Sequence, residues 1–134
     1  MKATDLMIGD WVIRRCVPEE PMRLYNMNSS RGIAYLDQDG RGVAELFENI
    51  EPIPLTPKIL DKNKFFQVGY PNNVYELNKQ YYLDHYDAFK PKLWVLYFGN
   101  YMRGKVEDTK IKITYVHELQ HALKLCGIEK EIIL

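Results

Sequence analysis

The sequence predicts an α+β protein: an N-terminal SH3-like β-barrel or meander, followed by a small antiparallel sheet that a C-terminal helix covers. Short runs of β-branched and aromatic residues separated by turn formers predict two β regions, at residues 1–53 and 74–114. One amphipathic pattern, at residues 115–126, predicts the helix. A short apolar connector joins the halves 1–53 and 54–134, so we expect them to pack as one compact unit.

The first half contains predicted strands joined by tight turns. These strands are expected at residues 11–13, 22–25, 32–36 and 42–47. Polar turn formers at 28–30 and 37–40 tolerate positive φ or bond their own backbone, which favours an antiparallel meander. Strands with so few large apolar residues bury them best by curling around one another, and this favours a half-open SH3-like barrel.

The connector leads into a short helix, predicted at residues 57–63. Each proline of the connector disfavours helix in the residue before it, so the chain is expected to stay extended up to this point. Thr56 and Pro57 stand at the preferred N-cap and N1 positions of a helix. Leu55 and Leu60 occupy the hydrophobic-staple positions around them. The helix start is therefore specified locally.

The second half is predicted to form a second sheet and the final helix. Its strands are expected at residues 74–77, 81–86, 93–98 and 110–114. The run at 93–98 is apolar throughout, which indicates a central strand covered on both faces. Ile111 and Ile113 alternate with lysines and are expected to point inward. The helix that follows should lie across the sheet, with Thr114 as N-cap and Gly127 as left-handed C′ residue.

The composition is that of a globular chain with balanced charge. Its 134 residues are 46% hydrophobic, and Lys+Arg and Asp+Glu number 18 each, so no overall field favours nucleic acid or an anionic membrane. Cys16 and Cys126 lie far apart, which indicates reduced thiols buried as small hydrophobes. The longest apolar run is too short to cross a bilayer and the N-terminus lacks a signal-peptide core, so we expect a cytoplasmic protein.

Residues 117–121, HELQH, match the zinc-peptidase pattern H-E-x-x-H. On a helix, His117 and His121 fall on one side, where both imidazoles can bind zinc. Glu118 then stands in position to act as general base on a zinc-bound water. A zinc-dependent metallopeptidase, with zinc as cofactor, is therefore one hypothesis for this helix.

A catalytic zinc site also needs a third protein ligand. No histidine follows His121, and the remaining candidates are spread over other parts of the chain: Asp84, His85, Glu129 and Glu131. The two histidines share their side of the helix with Gln120 and Lys124, opposite the apolar stripe. We therefore expect them to face water. The preferred interpretation is a solvated helix face that holds no cofactor.

An aromatic and basic cluster in the second half is the candidate binding surface. Its members are Tyr81, Tyr97, Tyr101, Arg103 and Lys105. Exposed tyrosines near cations stack on bases or contact a protein partner. Glu107 and Asp108 interrupt the basic run and weaken any binding of phosphates. An unidentified protein partner, or self-association, is therefore favoured over nucleic acid.

Three segments carry a family resemblance. They are DLMIGDWV at 5–12, IPLTPKIL at 53–60 with Asn63 and Phe65 following, and YVHELQ at 115–120. Together they resemble a family of small proteins of Bacteroides-type gut bacteria and their prophages and mobile elements. That family has no assigned activity, and its closing motif is similar to V-H-x-L-Q, which matches His117, Leu119 and Gln120. The resemblance implies that Glu118 and His121 are peculiar to this chain, and it counts against zinc.

These observations predict a non-enzymatic accessory protein of a phage or mobile element that acts through protein interaction. The zinc metallopeptidase is the first alternative, and a nucleic-acid-binding module is the second. No membrane partner is expected, because no segment is long and apolar enough to enter a bilayer.

Overall fold

The chain forms two units, Met1–Ile53 and Pro54–Leu134, in a computed structural model. The structure describes residues 1–68, 74–86, 90–100 and 103–134. These residues form two antiparallel sheets of five strands each and two α-helices, which confirms the predicted α+β class. Neither of the described helices has the length and apolar character that crossing a membrane requires.

The first unit is an antiparallel meander. Its strands are β1 (Trp11–Arg14), β2 (Val17–Asn28), β3 (Ile33–Gln38), β4 (Arg41–Leu46) and β5 (Ile50–Pro52), with 3-10 turns at Ala3–Asp5 and Phe47–Asn49. The sheet order is β4-β3-β2-β1-β5, so the predicted meander is confirmed and β5 returns to pair with β1. The described strands of this sheet do not close on themselves, and the SH3-like barrel is therefore not confirmed.

The apolar residues of the first unit face one core. Its buried members are Leu6, Val12, Met22, Leu24, Ala34, Leu36 and Ile50. Asp10 is also fully buried, and its Oδ2 accepts the backbone N–H of Met7 at 2.7 Å. Its backbone carbonyl accepts the N–H of Leu24 at 2.9 Å. The first bond gives the buried carboxylate a donor, and the second attaches the N-terminal segment to β2.

The two cysteines are free thiols in different environments. Cys16 lies in the turn between β1 and β2 and is exposed. The expectation of a buried thiol is therefore wrong for Cys16, because a tight turn has no core to face. Cys126 follows α2 and is half-buried, with its pKa raised by burial.

The second unit contains both described helices and the second sheet. In chain order its elements are α1 (Pro57–Lys62), β6 (Phe66–Val68), β7 (Val74–Glu76), β8 (Tyr81–Tyr86), β9 (Leu93–Asn100), β10 (Lys105–Ile113) and α2 (Val116–Leu125). In this sheet the order, β10-β9-β8-β7-β6, follows the chain throughout. The strand β6 was not predicted, because three residues are too short a run to identify a strand before its pairing with β7 is known.

The second sheet has an inner face, which α2 covers, and an outer face. Alternation along the paired strands places these side chains on the inner face: Tyr75, Tyr81, Leu83, His85, Trp94, Leu96, Phe98 and Ile113. The helix contacts β10, and Cys126 at its end lies beside Tyr81. It therefore lies across the inner face, as predicted. Trp94, Val95 and Leu96 are all buried, so the predicted burial on both faces holds for the middle of β9, whereas Phe98 is exposed.

The Trp94 indole holds the connector against the inner face. Its buried Nε1–H donates to the carbonyl of Leu55 at 3.1 Å, and the N–H of Leu55 donates to the carbonyl of Thr114 at 2.9 Å. The predicted N-cap of α1 is confirmed, because Oγ1 of Thr56 accepts the N–H of Ile59 at 3.3 Å. The connector is thus tied to the sheet before the helix begins.

Asn63, at the end of α1, holds the C-terminal segment. Its side chain is buried, and Nδ2 donates to the carbonyls of Ile59 at 2.8 Å and Ile133 at 2.9 Å. Its Oδ1 accepts the N–H of Ile133 at 2.7 Å. The amide therefore pairs with the backbone of Ile133 as a neighbouring strand would, while Ile132 is buried. The Asn63 side chain thus supplies the two hydrogen bonds that a neighbouring strand would otherwise make with Ile133.

We expect Asn63→Ala to lower the free energy of unfolding by about 1–3 kcal/mol, because three hydrogen bonds of a buried amide are lost. The change is measured by urea denaturation, together with hydrogen exchange of the Ile133 amide, which should accelerate. Lys58→Ala, on the exposed surface of the same helix, is the matched control and should be nearly neutral. Equal stabilities for the two variants would contradict the assignment.

Candidate functional site

The carboxylate of Glu118 caps the start of α2. Its Oε1 accepts the backbone N–H groups of Thr114 and Tyr115, each at 2.9 Å. The N-cap of α2 is Tyr115, so the prediction of Thr114 is wrong by one residue. The physical reason is that Thr114 still belongs to the strand side of the junction, where its carbonyl accepts the N–H of Leu55.

The histidine side of α2 is not the solvated face that the sequence predicted. His117 is 5% exposed and Gln120 is 9% exposed, whereas His121 is half-buried and Lys124 is exposed. The His117 ring stacks on Tyr115, with centroids 6.0 Å apart. A helical wheel identifies the apolar stripe, but it contains no information on which polar side chains other elements cover.

The two motif histidines lie together, as their spacing predicts, with ring centroids 5.6 Å apart. Among the described residues, no third His, Cys, Asp or Glu joins them in a group that could hold a metal ion. His85 packs edge-on against Trp94, with ring centroids 4.8 Å apart, on the inner face, and Asp84, the residue before it, lies on the outer face. The carboxylate that a peptidase would use as general base instead accepts two backbone N–H groups.

The outer face of the second sheet contains a cavity of about 210 Å³, which we call the outer pocket. It is lined by Val74, Tyr82, Asp84, Tyr97 and Val106, one or two residues from each of β7, β8, β9 and β10. Tyr82 and Tyr97 are direct cross-strand partners, and Val74 is opposite Asp84. Four strands thus converge on a space bounded by two phenol rings, two valines and one carboxylate.

The polar groups of the outer pocket are positioned by hydrogen bonds. Oδ1 of Asp84 accepts the backbone N–H of His85 at 2.8 Å, which orients the carboxylate. The hydroxyls of Tyr86 and Tyr97 lie 3.2 Å apart. This hydrogen bond, together with burial and the negative charges of Asp108 and Asp84, raises the pKa of Tyr97 to about 12. Tyr97 is therefore neutral at physiological pH.

The predicted aromatic and basic cluster is not assembled on one surface. Tyr97 lines the outer pocket, but Tyr81 lies on the inner face, 5.1 Å from Phe98 between ring centroids. The pKa of Tyr81 is raised by burial and then by the neighbouring Cys126. Arg103 and Lys105 are exposed, and alternation directs Lys105 away from the face that carries Val106. The fifth candidate, Tyr101, lies outside the described residues.

Four residues of the outer pocket are absent from the predicted aromatic and basic cluster: Val74, Tyr82, Asp84 and Val106. The signal was present in the alternation of β8, since Tyr82, Asp84 and Tyr86 share one face. The register of β8 against β9, which places Tyr97 opposite Tyr82, could not be predicted from the sequence.

The chain matches no protein-family model, no curated protein and no solved structure. The resemblance to proteins of Bacteroides-type bacteria and their mobile elements therefore stays a prediction. Conclusions about function come from the geometry of the outer pocket and of α2.

Two substitutions at Glu118 separate a capping role from a catalytic one. We expect Glu118→Ala to lower the free energy of unfolding by about 1–2 kcal/mol, because two N–H groups lose their acceptor. Glu118→Gln keeps an acceptor oxygen and should lower the free energy of unfolding by a smaller amount. Urea denaturation measures both variants, and elemental analysis of untagged protein measures zinc. Near-stoichiometric zinc, with peptide hydrolysis that Glu118→Gln abolishes without loss of stability, would show instead that the glutamate is catalytic.

The Tyr86–Tyr97 hydrogen bond also predicts a pH dependence. The unfolded phenol ionises near pH 10, roughly the ordinary value, and folded Tyr97 near 12. Folded protein then holds more protons between these values, so stability falls as pH rises through this range. The Tyr86→Phe substitution removes this hydrogen bond, so the loss of stability with rising pH should be smaller. The NMR signal of the phenol carbon of Tyr97 should then titrate at a lower pH. Tyr35→Phe, in the first unit, is the control, and an unchanged Tyr97 titration in Tyr86→Phe would contradict the assignment.

Proposed function

We propose that this chain is a non-enzymatic protein-interaction module whose binding surface is the outer face of the second sheet. The observation that supports it is the outer pocket, in which the rings of Tyr82 and Tyr97 meet across two paired strands. Tyrosine offers a large contact area with few rotatable bonds and a polar hydroxyl, and it is enriched at protein interfaces for that reason.

The size of the outer pocket favours a partner's side chain over a free substrate. Pockets for small molecules usually measure about 300–1,000 Å³, whereas this one measures about 210 Å³. A single side chain fills such a space, and the surrounding sheet surface then contacts the rest of the partner. Pockets that receive one anchoring side chain are common at the centres of protein interfaces.

The two alternative functions have less support from the same residues. A metallopeptidase needs the Glu118 carboxylate beside an open zinc position, but that group accepts two N–H groups at the helix start. A nucleic-acid module needs a cationic surface, but the outer pocket contains the carboxylate of Asp84, which repels phosphate. Binding of protein fits both observations.

The wider setting of this proposal comes from the sequence. The resemblance in segments 5–12, 53–60 and 115–120 supports an accessory role in phages or mobile elements of gut bacteria. The free thiols of Cys16 and Cys126 are consistent with a reducing cytoplasm. For the first unit we propose a half-open SH3-like arrangement, which is supported by the order β4-β3-β2-β1-β5 and by the 3-10 turn before the last strand.

Peptide display against the purified protein, followed by NMR mapping, tests the proposal. We expect selected peptides to shift the amide signals of Tyr82, Tyr97 and Val106 and to remain uncleaved by mass spectrometry. Tyr97→Ala should weaken binding about tenfold or more, because it removes an aromatic anchor. Phe98→Ala, the next residue on the opposite face of β9, is the control. Peptides that map elsewhere, or are hydrolysed, would overturn the proposal.

A further inference from the structure

The charges around the outer pocket are predominantly negative. Alternation places the carboxylates of Glu76, Asp84 and Asp108 on the outer face. The pairing of β10 with β9 places Lys112 on this face as well. Asp108 is already paired, with Nζ of Lys110 at 3.6 Å from its Oδ2. Asp84 makes no ion pair with another described residue. A carboxylate in the wall of a cavity thus forms no ion pair within the described part of the chain, and Lys112 stands two strands away, opposite Val95.

The walls of the outer pocket combine two aromatic rings, two aliphatic side chains and this carboxylate. Phenol rings attract cations to their faces through the ring quadrupole. The carboxylate adds a full charge and, held by the N–H of His85, presents its remaining lone pairs in a fixed orientation. Val74 and Val106 supply apolar surface, against which a methylene stem can pack. All of these features favour a long side chain with a cationic head.

The shape requirement favours arginine over lysine. A volume of about 210 Å³ corresponds to the liquid share of roughly seven waters, which suits one long side chain. The planar guanidinium stacks on an aromatic face and bonds a carboxylate through two N–H groups at once, and it is more weakly hydrated than an ammonium. The free-energy cost of moving a guanidinium from water into the outer pocket is therefore lower than the cost of moving an ammonium.

We propose that the outer pocket binds an arginine side chain of a partner protein, with the guanidinium against Tyr82 and Tyr97 and paired with Asp84. This inference rests on the proposed function and specifies the chemistry of the partner. The arginine anchors a segment that lies across β8, β9 and β10, and the neighbouring carboxylate of Glu76 favours a segment with positive charge.

The test uses synthetic peptides and NMR titration of the full chain. One peptide carries a single arginine between glycines and serines, a second carries citrulline, which has nearly the same shape without the charge, and a third carries lysine. Free arginine amide shows whether the side chain alone is sufficient. Asp84→Asn removes the charge but keeps the acceptor for His85, and Glu107→Gln makes the same change in net charge on the opposite face of β10.

We expect the arginine peptide to shift the signals of Tyr82, Tyr97 and Val106. Citrulline and the Asp84→Asn variant should each weaken this binding about tenfold or more, as the loss of a charge-assisted hydrogen bond predicts. Glu107→Gln should leave it unchanged, and lysine should bind more weakly than arginine. Urea denaturation confirms that each variant is folded.

Several outcomes would overturn the arginine assignment. They are no binding of the arginine peptide at millimolar concentration, equal binding of the citrulline peptide, or equal effects of Asp84→Asn and Glu107→Gln. If displayed peptides without a basic residue still map to the outer pocket, the interaction function stands and the arginine specificity fails. If no peptide maps there, both fail.

Discussion

The buried indole of Trp94 is the constraint on which the second unit depends. A tryptophan in a core must find an acceptor for its N–H, because an unpaired buried donor costs about 1–3 kcal/mol. The carbonyl of Leu55 supplies that acceptor, 39 residues away in sequence. Since Leu55 also bonds Thr114, one interaction fixes the connector, the start of α1 and the end of β10. The aromatic contacts of Trp94 with Tyr75 and His85 complete the arrangement.

The two faces of the second sheet have different chemistry. The inner face uses its aromatic residues for packing, with Tyr75 at 5.8 Å and His85 at 4.8 Å from the Trp94 ring. On the outer face, side chains of four strands surround a cavity, and the Tyr97 hydroxyl and the Asp84 carboxylate each take part in a hydrogen bond. An ordered polar group beside a cavity is suited to recognition, since little entropy is lost when a partner binds. This contrast supports the proposed interaction surface.

The residues of the H-E-x-x-H match take part in contacts of the fold. A glutamate at the third position of a helix is a preferred partner for the N–H groups at the helix start, and Glu118 bonds two of them. His117 is buried against Tyr115 and His121. His117 and Glu118 therefore each have a role in the fold, and the metallopeptidase interpretation of these residues stays an alternative that zinc analysis tests.

Local features were determined by the sequence alone: the strand alternation of β8, the N-cap at Thr56, and the positive φ of Gly127 after the last helix. Each depends on residues within one or two turns of chain. The tertiary structure decided the burial of His117, the existence of β6 and the meeting of Tyr82 with Tyr97. Burial and register depend on which distant segments come together, as Asn63 and Ile133 do across 70 residues, and no local pattern encodes that pairing.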